Sequence, residues 1–502
     1  MSLLLDNLAL GFSVSATATN LLMCFLGVLL GTLVGVLPGL GPATTIALLL
    51  PMTFELDPTG ALIMLAGIYY GAQYGGSTTA ILLNMPGESS GVVTALDGHE
   101  MAKQGRAGAA LSISAYGSFF AGCVSTVFVA AFAPALAELG LRFGPVENVA
   151  LMVLGIVAVV VMSKGSLINS FAMIAIGLGL GAIGTDLETS QARFTFGIDE
   201  LRDGIDFVPM AIGLFGIGEI LRTLDTPQSR EVLTRKISSL RLTRGEVRAS
   251  AMPIVRGTFL GSLLGILPGS GTLMAAFSSY MLEKKLSKTP ERFGHGAIEG
   301  VAAPESANNA ASQTSFIPML TLGLPSGSVT ALMIGAMTIH GIAPGPMVMT
   351  QQPELFWGMI CSMWIGNVML LVINLPLIGV WVRVLKIPYR HLVPAIVLLC
   401  CVGAYSVSSS SFDVFLLLAF GLFGYLLSRL DCEPAPLLLA FIIGPMLEEN
   451  FRRAMLVSRG SPSAFVTHPI SLTLVLISVG LIVLAFLPAI RHRRKEVFVE
   501  AE

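Results

Sequence analysis

Residues 27–41 read GVLLGTLVGVLPGLG, and residues 257–271 read GTFLGSLLGILPGSG. Gly27, Gly31, Gly35, Gly39 and Gly41 stand at one constant offset from Gly257, Gly261, Gly265, Gly269 and Gly271, and Pro38 stands at that offset from Pro268. Glycine tolerates strained backbone and proline removes a donor, so coincident spacing of the two marks a repeated structural unit rather than a chance run. Each copy is followed by a second break, Asn84-Met85-Pro86-Gly87-Glu88-Ser89 in the first and Gly323-Leu324-Pro325-Ser326-Gly327-Ser328 in the second. Two halves with two breaks each are expected.

The setting of these breaks is a membrane. Of 502 residues, 54% are hydrophobic and 12% charged, with a mean hydropathy of +0.80, against about 25% charged residues in soluble domains. Apolar runs of helix-spanning length recur near 20–37, 61–83, 108–133, 146–162, 166–185, 207–222, 254–267, 328–347, 356–382, 392–407, 412–428 and 470–488. Strand alternation of the barrel type is missing, which leaves a helical bundle as the way to satisfy backbone groups in lipid. The expected fold is an all-α polytopic membrane protein of about twelve transmembrane helices. Shorter apolar stretches at 43–51, 272–282, 315–323 and 435–447 are broken by Pro and Gly and predict re-entrant helical hairpins. The expected organisation is a first half over 1–222, a basic cytoplasmic linker over 223–253, and a second half over 254–502.

Charge orients the halves. The linker region carries Arg222, Arg230, Arg235, Lys236, Arg241, Arg244, Arg248 and Arg256, which places it in the cytoplasm, as do Arg491, Arg493, Arg494 and Lys495 for the C-terminus. The segment after the first Pro-Gly motif holds only Glu55 and Asp57, whereas its counterpart holds Lys284, Lys285, Lys288 and Arg292. Those loops are expected on opposite sides, so the repeats read as inverted in topology. The N-terminus lacks the charge and cleavage pattern of a signal peptide and is expected to be retained. The six cysteines show no disulfide or metal spacing, and no basic tract suits nucleic acid.

A Pro-Gly turn at membrane depth ends one helix and starts another, exposing N–H groups that attract carboxylates and carbonyls that suit a dehydrated cation. The candidate substrate or ion site is therefore drawn from Pro38, Gly39, Gly41, Thr44, Gly269, Ser270 and Gly271 at the turns. To these are added Ser77, Thr78 and Asn84 from the first half, and Asn308, Asn309, Ser312 and Thr314 from the polar run 304–315. Amides and hydroxyls clustered within a bilayer point to a hydrated path. A sodium ion is expected on backbone near Gly39 and Gly269. Glu305 reads as a proton-linked or cation-linked carboxylate, with Glu299 beside it; Glu88 reads as a loop carboxylate. No nucleotide-binding loop and no catalytic constellation is present, so the reading is of a carrier without enzymatic activity and without a cofactor other than a coupling Na+ or H+.

The stretches GVLPGLGPATT at 35–45, YGAQYGGSTTAILLNMPGE at 70–88 and DGHEMAKQGRAG at 97–108 resemble the large permease subunit of the tripartite tricarboxylate transporter family. The stretch 431–454, DCEPAPLLLAFIIGPMLEENFRRA, is similar to the C-terminal signature of that family. The resemblance implies a multi-pass permease of the bacterial inner membrane. It implies a small four-helix membrane subunit and a periplasmic solute-binding protein as partners, and ion-driven uptake of tricarboxylates or related carboxylates. A passive organic-anion channel is the alternative reading.

Overall fold

The computed structural model describes residues 2–37, 40–85, 87–88, 90–163, 166–186, 188–225, 239–267, 271–385 and 389–486. Pro38, Gly39, Gly269 and Ser270, with the sodium site expected there, lie outside the described residues, as do Arg230, Arg235 and Lys236 of the linker and the basic C-terminus from Arg491.

The architecture is all-α. The first half runs through α1 (Ser2–Ser15), α2 (Ala18–Gly35), α3 (Pro42–Leu49), α4 (Pro58–Leu83), α5 (Gly91–Lys103), α6 (Ala107–Gly140), α7 (Pro145–Met162), α8 (Leu167–Gly181), α9 (Phe207–Ala211) and α10 (Gly218–Asp225). The second contains α11 (Arg244–Leu264), α12 (Gly271–Leu286), α13 (Glu299–Thr314), α14 (Phe316–Leu322), α15 (Ser328–Ile339), α16 (Val348–Gln351), α17 (Pro353–Asn374), α18 (Ile378–Val384), α19 (Tyr389–Ser408), α20 (Ser411–Arg429), α21 (Ala435–Val457), α22 (Ala464–Thr467) and α23 (Pro469–Phe486). Among the described residues the sheet content is one antiparallel pair, Gly184–Thr185 with Ala192–Arg193.

Six helical stretches of the described residues are long and apolar enough to cross a membrane: Ala18–Gly35, Ala107–Gly140, Pro145–Met162, Phe207–Asp225, Pro353–Asn374 and Ser411–Arg429. Others expected as spans are apolar but shorter, among them Leu167–Gly181, Ser328–Ile339 and Pro469–Ala485. The chain differs from its sequence reading at two further places. Helix α11 starts at Arg244, inside the expected linker, and is set by a capping box in which Glu246 N–H donates to Thr243 Oγ1 at 3.2 Å and Thr243 N–H to Glu246 Oε2 at 2.8 Å. The expected short stretch at 435–447 is the front of a 23-residue helix, which continues through Pro445. The polar run 304–315 forms most of α13, and the DGHEMAK stretch lies in α5.

Helices α4 and α13 occupy the centre, buried over nearly their whole lengths. Each is held by one glycine-ladder helix. A Cβ at Gly27, Gly31 or Gly35 of α2 would lie 2.2, 2.4 or 2.4 Å from the carbonyl oxygens of Met64, Ile68 and Ala72 on α4. A Cβ at Gly257, Gly261 or Gly265 of α11 would lie 2.4, 2.1 or 2.3 Å from those of Ala303, Ala307 and Ala311 on α13. Side-chain-free surfaces are what allow such backbone contact between helices in a membrane. The register carries onward: Met64, Ile68 and Ala72 stand to Ala303, Ala307 and Ala311 at the same offset as Asn84 to Gly323, and both of these are left-handed residues ending a helix, with φ of 56° and 67°. Glycine meets that requirement without strain and asparagine tolerates it.

Outside the bundle, the loop after α8 is tied to α21. Arg452 donates to Asp186 Oδ2 at 2.7 Å, Glu188 Oε2 at 3.0 Å and Glu448 Oε1 at 2.6 Å, while Arg193 reaches Glu448 at 2.7 Å. Arg452, then the backbone N–H groups of Glu188 and Thr189, hold the Asp186 carboxyl well below the ordinary carboxylate range. Its stabilisation is thus complete above the ordinary value of 3.8 and is lost as pH falls from there toward the depressed folded value.

Two outcomes follow, both read as unfolding temperature in detergent. Gly261→Ala is expected to destabilise by about 1–3 kcal/mol, the cost of forcing a methyl into packed backbone, whereas Gly480→Ala, whose Cβ meets nothing within 4 Å, is expected to be neutral or stabilising. Asp186→Asn is expected to lower the unfolding temperature at pH 7, and the gap from wild type is expected to narrow as pH drops below 3.8.

Candidate functional site

The breaks in the two halves converge on one cavity of about 450 Å³. From the first half come Gly41, Pro42, Ala43 and Thr44 at the start of α3, with Gly87, Glu88 and Val92 around the start of α5. From the second come Gly271, Thr272 and Leu273 at the start of α12, and Gly327, Ser328, Val329 and Thr330 at the start of α15. Ala435 and Pro436 of α21 close the ring, with Ala311 and Ser315 from the end of α13.

Local chemistry places these starts. Pro42 stands at the first helical position, where a missing N–H costs nothing and the ring presets φ. Gly41 precedes it in extended conformation, and a Cβ there would meet Gly87 O at 2.7 Å, so the two breaks of the first half touch. Gly327 caps α15: its N–H donates to Thr330 Oγ1 at 3.0 Å. First turns of α3, α12, α15 and α21 thus line one volume, and each offers unsatisfied N–H groups and a positive partial charge.

Charged side chains complete the lining: Glu88, Glu219, Glu433 and Arg222. Arg222, counted with the linker cations and last in the expected span 207–222, sits in the last turn of α10 and pairs with Glu219 at 3.5 Å. It reaches the cavity because a π-helical turn at Ile212–Ile217 carries α9 straight into α10, a feature often found beside functional sites. Glu88, read as a loop carboxylate, accepts from Asn308 Nδ2 at 2.9 Å and from Ser90 Oγ.

Behind the cavity lies a second polar centre. The Glu305 carboxyl, 1% exposed, accepts from Ser77 Oγ at 2.8 Å, Thr94 Oγ1 at 2.5 Å, Ser114 Oγ at 3.0 Å and Ser118 Oγ at 3.4 Å. Asn309 Nδ2 donates to Ser118 Oγ at 2.7 Å and to the Glu305 carbonyl at 3.0 Å. A third cluster is structural. Asp97, fully buried, accepts from Tyr280 Oη at 2.9 Å and from the N–H groups of Gly294, Gly296 and Ala297 at 2.9, 2.8 and 2.8 Å. Arg106 of the same motif donates to Gly296 O at 3.4 Å and to Glu246 at 3.0 Å. The DGHEMAKQGR run therefore fastens α5 to the loop that leads into α13.

Of the residues singled out in sequence, Gly41, Thr44 and Gly271 line the cavity. Ser77, Asn309 and Glu305 meet in the buried centre, and Asn308 joins that helix to Glu88. Thr78, Ser312 and Thr314 donate to carbonyls of their own helices, at Tyr74, Asn309 and Ala310. Asn84 is exposed and ends α4. Glu299 pairs with Arg292 at 3.5 Å. Sequence reasoning missed Arg222, Glu219, Glu433 and Thr94; the preference for Pro in the first helical turn, seen at Pro42 and Pro436, was the usable signal for the cavity rim.

A helical bundle with many apolar helices, broken around an interior polar cavity, defines a multi-pass membrane protein of the transporter type. The family model described as the tripartite tricarboxylate transporter TctA family matches residues 21–439, and the chain belongs to that family. It is 56% identical over 499 residues to the "Uncharacterized 52.8 kDa protein in TAR-I ttuC' 3'region" of Agrobacterium vitis, covering 99% of each chain. It is 59% identical over 240 residues to the "Uncharacterized protein in TAR-II ttuC' 3'region" of the same organism, covering 48% of this chain and 99% of that one. No solved structure matches it.

The Asp97 clamp yields a test. Asp97→Ala leaves two buried N–H groups, a half-buried one and the Tyr280 hydroxyl without their acceptor, so a loss of about 3 kcal/mol or more is expected, seen as a lowered unfolding temperature in detergent.

Proposed function

We propose that the chain is the large permease subunit of a binding-protein-dependent secondary transporter that imports tricarboxylates or related small carboxylates by symport with Na+ or H+. The observation that carries this is the convergence of four helix starts on a single cavity. Helix N-termini bind anionic oxygens through oriented N–H groups, Arg222 adds one guanidinium, and the hydroxyls of Thr44, Thr272, Ser328 and Thr330 stand on the same lining. A volume of about 450 Å³ is of the size that encloses small ligands, which typically occupy roughly 300–1,000 Å³.

The repeated glycine ladders support an arrangement of two inverted repeats, each contributing one hairpin to the cavity, with about twelve membrane crossings in all. On the family relationship, the working complex includes a small four-helix membrane subunit and a periplasmic solute-binding protein, in the bacterial inner membrane. By this reading Asn308 and Asn309, with Ser270 and the backbone of Gly39 and Gly269, belong to the substrate or ion site.

The test is uptake of labelled di- and tricarboxylates into vesicles containing the chain and both partners, under imposed Na+ or proton gradients. Gradient-dependent accumulation is expected, and Asn308→Ala is expected to abolish it. Arg222→Gln is expected to raise KM roughly tenfold, the loss of one charge-assisted hydrogen bond. Flux that only equilibrates whatever the gradient would show a passive channel instead.

A further inference from the structure

The buried Glu305 centre has a composition that the cavity alone does not require. Its hydroxyls come from α4 (Ser77), α5 (Thr94) and α6 (Ser114, Ser118), while Glu305 itself comes from α13, so the centre joins the first half to the second. Ser77, Thr94, Ser114 and Ser118 are 5%, 1%, 5% and 1% exposed. No Lys, Arg or His pairs with Glu305 among the described residues.

An ionised carboxylate offers only acceptors, and the hydroxyls supply donors to both of its oxygens. A neutral carboxyl is also accommodated, because one of those hydroxyls has a second acceptor in reach. Ser77 Oγ lies 2.8 Å from Glu305 Oε2 and 3.1 Å from the Gln73 carbonyl oxygen. When its hydrogen turns to Gln73, the Ser77 oxygen accepts the carboxyl proton instead. Both protonation states are hydrogen-bonded with no heavy atom moved. A metal ion is suited less well: direct hydroxyl to carboxylate contacts of 2.5–3.4 Å fill the space in which it would have to sit.

Most other ionisable groups on the helices packed against α13 are engaged elsewhere, while the Tyr70 hydroxyl of α4 is buried with no hydrogen-bond partner. On α4 the Tyr74 hydroxyl donates to Ala115 O at 3.5 Å, and on α5 Asp97 holds the 294–297 loop together with Tyr280 of α12. Between α11 and α12, Arg256 binds Glu283 through two hydrogen bonds of 2.6 and 2.7 Å. Helix α14 carries no charged residue, nor does the stretch of α6 that faces α13, 107–122. Communication with the cavity is short. Asn308, on the next turn of α13, donates to the cavity-lining Glu88, and Ala311 and Ser315 of the same helix end form part of the lining.

Resting on the carboxylate-transport reading, we propose that Glu305 is the group that binds the driving proton. Its carboxylate takes up one H+ on the side of higher proton potential, travels neutral with the substrate, and releases the proton on the other side. The hydroxyls of Ser77, Thr94, Ser114 and Ser118 hold both states. Ser77 and Asn309 thereby become positioning residues of the proton site rather than substrate ligands.

The experiment uses the chain with its small membrane subunit and binding protein in vesicles, with labelled citrate and malate as probes. It measures both accumulation driven by a pH gradient and counterflow against unlabelled substrate. A one-unit gradient supports about tenfold accumulation per coupled proton. Glu305→Gln, locked in the neutral form, is expected to keep counterflow and to lose gradient-driven accumulation. Ser114→Ala, which removes one donor to the ionised form, is expected to raise the pH midpoint of uptake by about half to one unit. Accumulation retained in Glu305→Gln overturns the proposal, as does wild-type accumulation that follows only a sodium gradient. Should Glu305→Gln fail to fold, unchanged pH midpoints in both Ser114→Ala and Ser118→Ala overturn it. Absence of wild-type counterflow with either probe is a different failure, that of the carboxylate reading itself.

Discussion

Two helices bring their backbones into contact only where side chains have been removed from the line between them, and that constraint organises this molecule. Gly27, Gly31 and Gly35 press α2 onto the carbonyls of α4, and Gly257, Gly261 and Gly265 press α11 onto those of α13. The first pair is reciprocal, since a Cβ at Gly67, Gly71 or Gly75 of α4 would lie 3.0, 2.6 or 2.6 Å from the backbone of Val28 or Val36. The second uses alanines on α13 instead. Because each ladder helix ends at or next to its last ladder glycine, at Gly35 and Leu264, and the next begins seven residues on, at Pro42 and Gly271, locking the ladder fixes where both helices meet the cavity. The helix starts at Pro42 and Gly271 point at the same cavity for this reason. The hydroxyl-rich interior depends on the same contact: α4 and α13 can be polar on several faces because they are enclosed and need no lipid-facing side.

Much of this was legible in the sequence where the signal was steric. Glycine spacing needs no partner to be read, so the ladders, the breaks and the helical class follow from residues 27–41 and 257–271. What was not legible depended on burial by polar neighbours. Helix α13 has almost no net hydrophobicity, and α5 little more, because their faces are matched to hydroxyls and amides of other helices rather than to lipid. Hydropathy reads such helices as loops or paths. Arg222 stands at the end of the expected span 207–222 and was counted with the linker cations; nothing in the local sequence announces that this helix end reaches the cavity. The pairing of Asn308 with Glu88 joins residues far apart in sequence, and only the fold brings them together.

The electrostatics of the cavity bear on why a carrier of anions would need a cation. Each helix N-terminus carries roughly half a positive charge, so four of them contribute about +2. By formal charge Glu88, Glu219, Glu433 and Arg222 sum to −2 on the same lining, and the C-terminal ends of α10 and α13 reach it as well. On that count the lining carries no surplus of positive charge. Adding a substrate with two or three carboxylates brings in its full charge in a partly desolvated space, where uncompensated charge is costly. A proton or a cation entering with the substrate offsets it. For the symport proposed above, coupling follows from how the lining is built: a cavity with no surplus of positive charge binds an anion well only when a positive charge comes with it. A cavity lined by arginines would bind the same anion without that requirement and would release it with more difficulty.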